Sequence, residues 1–286
     1  MEALMRQITK ILAMAFLTML ITCNAWAFSS WTWNLDTIGY TYTNEDTTAG
    51  TTLEFEELLN FTNTGKFPVK AYINQDLGGD GILSDGDTFS EFGALSIIGV
   101  DSTPTFFTAT GAPARIYYDF SGLTGSISSV DLSNPAAPVY DISFDAGVGS
   151  IELRYTDDLT LATYDGVLAK FNLLDAGATG FTLAQGGGLN GGFSFTIGFE
   201  SVLPGFWEFP IGAAEDILAD WGPNSIKGFA DLNANIISIV PGQNSLQITV
   251  ENSGTMRHQP IPEPGTLLLL GAGLLGLGAV ARRRKN

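Results

Sequence analysis

Carboxylates and glycines are crowded into one short stretch, Asp76-Leu77-Gly78-Gly79-Asp80-Gly81-Ile82-Leu83-Ser84-Asp85-Gly86-Asp87, which continues through Thr88-Phe89-Ser90-Glu91. Hard oxygen ligands spaced by residues that permit sharp turns suit Ca2+, and without a cation such carboxylates repel one another. Laid on a calcium loop of about twelve residues, Asp76 takes the first position, Asp80 the fifth, the Ile82 carbonyl the seventh, Ser84 the ninth and Asp87 the last. The pattern departs at Gly78, where a carboxylate or amide is expected, and at Asp87, which is shorter than the usual bidentate Glu. Asp85 and Glu91 are the alternates. The flanking residues suggest strands, so the loop would lie outside an EF-hand. The other reading of the same residues is a solvated acidic turn.

Other chemistry is poorly supplied. The chain has a single histidine, His258, which leaves a Ser-His-Asp triad or a His-based zinc site without material. Its place near the tail reads as linker. The doublets Glu56-Glu57, Asp157-Asp158 and Glu215-Asp216 offer carboxylates for glycoside hydrolysis, but neighbours in sequence point apart. No enzymatic activity is expected. Trp31 and Trp33 share one face of a strand and read as core, whereas Trp207 and Trp221 lie in loop-rich sequence and are candidates for stacking on sugar rings.

The elements that must position these residues are strands. With 34 glycines and 19 phenylalanines, short runs rich in Thr, Phe, Ile and Val alternate with turn clusters. Strands are expected within 30–35, 66–73, 114–120, 139–144, 150–155, 193–200, 235–240 and 245–250. Residues 180–184 and 193–197 form a hairpin across a Gly-rich tip. Helix is expected only at 53–60 and 213–221, both short and peripheral. The fold class is all-β, a jelly-roll-like β-sandwich spanning residues 28–259.

Both ends of the chain read as addresses. Arg6 and Lys10 precede an apolar run, and Asn24-Ala25-Trp26-Ala27 supplies an Ala-x-Ala site, so residues 1–27 are a signal peptide cleaved after Ala27. A lipoprotein signal ending at Cys23 is the alternative. Because Cys23, the only cysteine, falls in this segment, the domain contains no disulfide and no thiolate chemistry. Residues 260–286 carry Pro262-Glu263-Pro264, an apolar stretch over 266–281, then Arg282-Arg283-Arg284-Lys285. Sixteen helical residues span about 24 Å, less than the roughly 30 Å hydrocarbon core, so the helix makes a poor permanent anchor. The basic cluster stays cytoplasmic and the domain lies on the far side of the inner membrane.

Charge narrows the partners. The chain has 30 acidic and 13 basic residues. With Glu2, Glu263 and the six terminal basic residues set aside, 28 acidic face 7 basic residues between 28 and 261, about −21. That field repels nucleic acid and anionic lipid, and leaves divalent cations and neutral glycans as partners.

Pro-Glu-Pro, a short apolar helix and an Arg cluster, in that order at a C-terminus, resemble the PEP-CTERM sorting signal of Gram-negative bacteria that make extracellular polysaccharide. The resemblance covers about the last 25 residues. It implies recognition by a membrane-embedded exosortase, transient residence in the inner membrane, removal of the tail, and delivery to the cell surface or extracellular matrix. The Gly-Asp-Gly and Gly-Asp-x-Phe-x-Glu of the acidic stretch are similar to a segment of PEP-CTERM ectodomains related to flocculation-associated proteins, which implies a structural or adhesive role with extracellular polysaccharide as partner. A carbohydrate-active hydrolase using paired carboxylates and a surface small-molecule or metal-binding protein are the alternatives.

Overall fold

Apolar and polar residues alternate along most of the chain, and a period of two gives each strand one face to bury and one to leave in water. The computed structural model describes residues 30–61, 71–76, 83–109, 112–134, 138–160, 162–182, 191–242 and 244–261. The expected signal peptide and tail helix lie outside them, and among the described residues no helix is long and apolar enough to cross a membrane.

The first half holds β1 (Trp31–Asn34), β2 (Tyr40–Asn44), β3 (Ala49–Gly50), β4 (Thr52–Phe55), β5 (Leu58–Phe61), β6 (Ala71–Asp76), β7 (Thr88–Val100), β8 (Thr103–Ala109), β9 (Ala112–Pro113) and β10 (Arg115–Asp131). The second holds β11 (Val139–Phe144), β12 (Ser150–Thr156), β13 (Gly166–Thr182), β14 (Gly191–Val202), β15 (Trp207–Phe209), β16 (Gly212–Ala213), helix α1 (Ala214–Trp221), β17 (Ile226–Pro241) and β18 (Ser245–Pro260).

The all-β expectation holds, but the sheet closes. Antiparallel pairing runs β7–β10–β12–β13–β14–β17–β18 and returns through β6 to β7. Two places in the ring are each filled by two strands end to end. β11 and β12 both lie between β10 and β13, and β5 and β6 both lie between β18 and β7. The result is an up-and-down barrel of eight strand positions, each strand beside its successor once the β8–β9 and β15–α1 excursions are set aside. This corrects the expected sandwich: two facing sheets leave four edges, whereas the β7–β10 ladder, from Ser96↔Tyr117 to Thr88↔Ser126, joins the ends.

β17 shows which face is which. Ile226, Ala230, Leu232, Ala234 and Ile236 are buried, while Phe229, Asp231 and Asn233 between them are exposed. Apolar inside and polar outside is the reverse of a barrel that faces lipid, so this wall faces water. Outside, Arg154 on β12 bonds Asp119 on β10 and Glu152, and Lys170 on β13 reaches Glu152 at 3.2 Å, an ion ladder across three strands.

A four-stranded sheet, β16–β15–β1–β4, closes one end of the barrel. Trp31, Trp33, Phe55 and Trp207 from this cap are all at most 1% exposed and merge with the barrel core. α1 lies beside the cap over 214–221, as expected, burying Ala214 and Ile217. The other expected helix, 53–60, is instead β4 and β5. Leu53 and Phe55 alternate into the core, and the Asp101 carboxylate accepts the N–H groups of Glu56 (2.8 Å) and Glu57 (2.9 Å), donors that a helix would have used. Asp101 and Ser102, at φ 46° and 65°, turn β7 into β8, and this carboxylate bond holds an otherwise disfavoured conformation in place.

Candidate functional site

The acidic stretch joins β6 to β7 at the end of the barrel opposite the cap. Asp76 stands at the end of β6, opposite Ser245, while Asp80 and Ile82 lie outside the described residues. The Asp87 carboxylate accepts the Ser84 N–H at 2.7 Å and its hydroxyl at 3.3 Å, closing a tight turn. The turn is tied to β10 by Gly86 N–H to the Ile127 carbonyl and Ile127 N–H to the Asp87 carbonyl, both 2.9 Å. Asp87 is buried and Asp85 is exposed. Glu91 is elsewhere. It is buried at 5% exposure and lines an interior cavity of about 50 Å³ with Leu95, Phe120, Leu123 and Met256. Three residues lie between it and Asp87, so four steps of extended chain carry Glu91 about 13 Å along β7, away from the Ser84–Asp87 turn. Burial pushes the Glu91 carboxyl up to about 8. Among the described residues no group of three or more His, Cys, Asp or Glu is gathered to hold a metal.

His258 is not a linker residue. It sits on β18, 2% exposed, with its ring between those of Trp31 (5.1 Å), Trp207 (4.9 Å) and Phe199 (5.4 Å), and its Nε2 lies 3.2 Å from the Tyr118 hydroxyl. Burial pushes the imidazole down to about 3, so it is neutral at ordinary pH. Its Nδ1 and the Nε1 atoms of Trp31 and Trp207 have no hydrogen-bond partner among the described residues. Trp207 is therefore a core residue, its faces covered by Trp31, Phe199 and Phe209, which corrects the sugar-stacking expectation. Trp221 is partly buried against the same core. Trp31 and Trp33 are core, as their alternation implies. The signal that could have placed His258 is the same alternation, since Asn252, Met256, His258 and Pro260 are all buried on one face.

A cleft of about 610 Å³ opens between the cap and the end of β18. Glu54, Glu56, Glu57 and Asp101 rim it, and Trp31, Phe55 and His258 line it more deeply. Arg257 answers part of this charge through its 2.9 Å ion pair with Glu57. Each carboxylate doublet singled out for hydrolysis has a member in a structural bond: Glu57 with Arg257, Asp158 with the N–H groups of Thr160 and Thr163, Glu215 with the Gly205 N–H at 2.7 Å. Ser30 and Gln259 both line this cleft, so both ends of the described domain meet there.

Residues 260–285 match the family model of the PEP-CTERM protein-sorting motif. No curated protein and no solved structure matches the chain. The motif implies export, processing by an exosortase and a cell-surface or extracellular destination. The matched region begins at Pro260, the last residue of β18, so sorting motif and barrel abut without a linker.

Proposed function

We propose that this is a structural or adhesive protein of an exopolysaccharide matrix in a Gram-negative bacterium, acting in aggregation such as floc or biofilm formation. The observation that carries the reading is the junction: a sorting motif fused directly to the closing strand of a water-facing barrel. That strand runs about 50 Å from Ser245 to Pro260. While the tail holds the cap end near the membrane, the acidic turn at Ser84–Asp87 is held at the far end, towards the matrix. A surface charge near −21 keeps the domain off anionic lipid and leaves it free to share divalent cations with acidic glycans. Ca2+, bound weakly by Asp76, Asp80, the Ile82 carbonyl, Ser84 and Asp87, belongs to this reading. The test is to compare cells producing the full chain with cells producing a chain stopped after Ile261. Aggregation and surface retention lost together on stopping the chain support the reading, and aggregation unaffected by deleting the whole gene removes it.

A second reading, a surface receptor for a small molecule or a glycan unit, is favoured by the acid-rimmed cleft lined by Trp31 and His258, whose Nε1 and Nδ1 atoms have no hydrogen-bond partner among the described residues. Saturable binding of a soluble oligosaccharide, abolished by Glu54→Gln, would favour this reading.

A further inference from the structure

Backbone pairing fixes how far the barrel extends into the tail. Pro260 stands opposite Ile226 in the β17–β18 ladder and is buried, and the Ile261 N–H donates to the Ser225 carbonyl at 2.6 Å. Just upstream, Ser253 to Met256 are paired on both edges, by β17 and by β5. Arg257, His258 and Gln259 are each registered on β17, with Arg257 also held by Glu57 and His258 by the aromatic rings around it. Residues 262–265 then cover at most about 14 Å before the apolar stretch starts.

A peptidase grips its substrate as an extended strand, through main-chain hydrogen bonds on both sides of the bond it breaks. In β18 both edges serve the barrel at Ser253–Met256, and the β17-facing edge does so from Arg257 to Pro260. Offering any bond up to Pro260 requires the last rungs to separate, which draws His258 out of its aromatic surroundings and loosens the strand that closes the ring.

We infer that the tail is severed on the C-terminal side of Ile261, so that the closing strand survives processing whole; this rests on the exosortase reading above. The bond that breaks is a peptide C–N bond whose carbonyl belongs to Ile261 or a later residue. The nitrogen leaves with the tail as an amine, taking a proton from the attacking group. The acyl carbon bonds to water oxygen, giving a carboxylic acid, or to an amine of the matrix, giving an amide. Because Gln259 lines the acid-rimmed cleft, the new terminus emerges beside it. An amide would moor the barrel by its cap end, with the Ser84–Asp87 turn at the free end.

Intact-mass and C-terminal peptide mass spectrometry of the protein recovered from producing cells tests this. The expected last residue is Ile261 or later, and the mass separates a free acid from an amine adduct. A terminus at Pro260 or earlier overturns the inference while leaving processing in place; a chain still carrying Asn286 removes the processing and the inference together. Independently of the enzyme, a chain stopped after Ile261 is expected to melt within about 2 °C of the full-length protein, and one stopped after Gly254 more than about 10 °C lower or not to fold. Equal melting of the two truncated chains also overturns it.

Discussion

The Tyr118 hydroxyl and Nε2 of His258 meet at 3.2 Å inside the barrel, joining β10 to β18, strands that are not neighbours in the ring. A side-chain bond across the interior brings a titratable ring into the core, and its ionisation becomes a property of the fold.

His258 gives the acid limb of stability. Its imidazole is held at about 3 in the folded protein against about 6.5 in an unfolded chain, so between these values only the unfolded chain binds the proton. The contribution of His258 to stability therefore falls as pH drops from about 6.5 towards 3, by at most about 1.4 kcal/mol per pH unit. His258→Phe removes that slope. Urea melts of both proteins at pH 7, 5.5 and 4 check it, and parallel pH curves for the two would refute it.

Glu91 gives the opposite limb. Its carboxyl is held at about 8 when folded against about 4.5 unfolded, so between these values the folded protein keeps a proton that the unfolded chain has lost. The contribution of Glu91 to stability falls as pH rises from about 4.5, by at most about 1.4 kcal/mol per unit, and the loss levels off above 8. From 4.5 to 6.5 the two slopes cancel, which sets a plateau there. Glu91→Gln, which keeps the shape without the charge, leaves the His258 slope uncancelled, so stability rises up to about pH 6.5 and then stays level, and its melting temperature at pH 8 exceeds that of the unaltered protein.

The strand content was legible because it is written locally. Residues 139–144 and 150–155 carry their own alternation and form β11 and β12 where expected. Ring closure was not legible: β18 pairs with β5 across some 190 residues of sequence, and nothing local in either strand names its partner. The second half of β18 was hidden by its composition. Glu251-Asn252-Ser253-Gly254 reads as a turn, yet Gly254 is there because a Cβ would meet the Asp231 carbonyl oxygen at 2.1 Å on the adjacent β17. Trp207 was misread for a related reason, since its strand is three residues long between Pro204 and Pro210 and shows little periodicity. Trp31 and Trp33 alternate on a longer strand and were placed correctly.

Trp207 is a stability residue. Its ring packs on Trp31, Trp33, Phe199 and His258 where cap meets barrel, and Trp207→Ala leaves a void there. The expected cost is about 3–5 kcal/mol, read from the urea midpoint with the slope unchanged. Trp207→Phe costs less. A glycan-binding defect in Trp207→Phe at unchanged stability would contradict this placement.

The ladder of Asp119, Arg154, Glu152 and Lys170 predicts an asymmetric effect. Arg154 answers two carboxylates and lies 4.2 Å from the centre of the Tyr164 ring, so Arg154→Met leaves Asp119 and Glu152 facing each other across β10 and β12. The loss is expected to be about 1–2 kcal/mol at low salt and smaller in about 0.5 M salt, where screening weakens the repulsion that remains. Lys170→Met, which removes the more exposed cation, costs under about 1 kcal/mol. Denaturant midpoints at the two ionic strengths check both.

Calcium acts, if the acidic stretch holds it, at the barrel end where β6 and β7 leave the ring. The Asp87 carboxylate closes its turn through the Ser84 N–H and hydroxyl, so an ion there would bind a turn that these hydrogen bonds also shape. Weak extracellular sites have dissociation constants of about 1 mM, and 10 mM Ca2+ would then stabilise the fold by about 1.4 kcal/mol, a rise of about 2–4 °C for a domain of this size. Asp76→Asn and Asp80→Asn are expected to abolish that rise, read as the difference between melting temperatures with Ca2+ and with a chelator. Asp87→Asn lowers the calcium-free value as well, since it weakens the turn itself. Equal melting with Ca2+ and with a chelator, together with no heat on titration, would leave the stretch as a solvated acidic turn and the −21 charge as the property through which the domain meets cations.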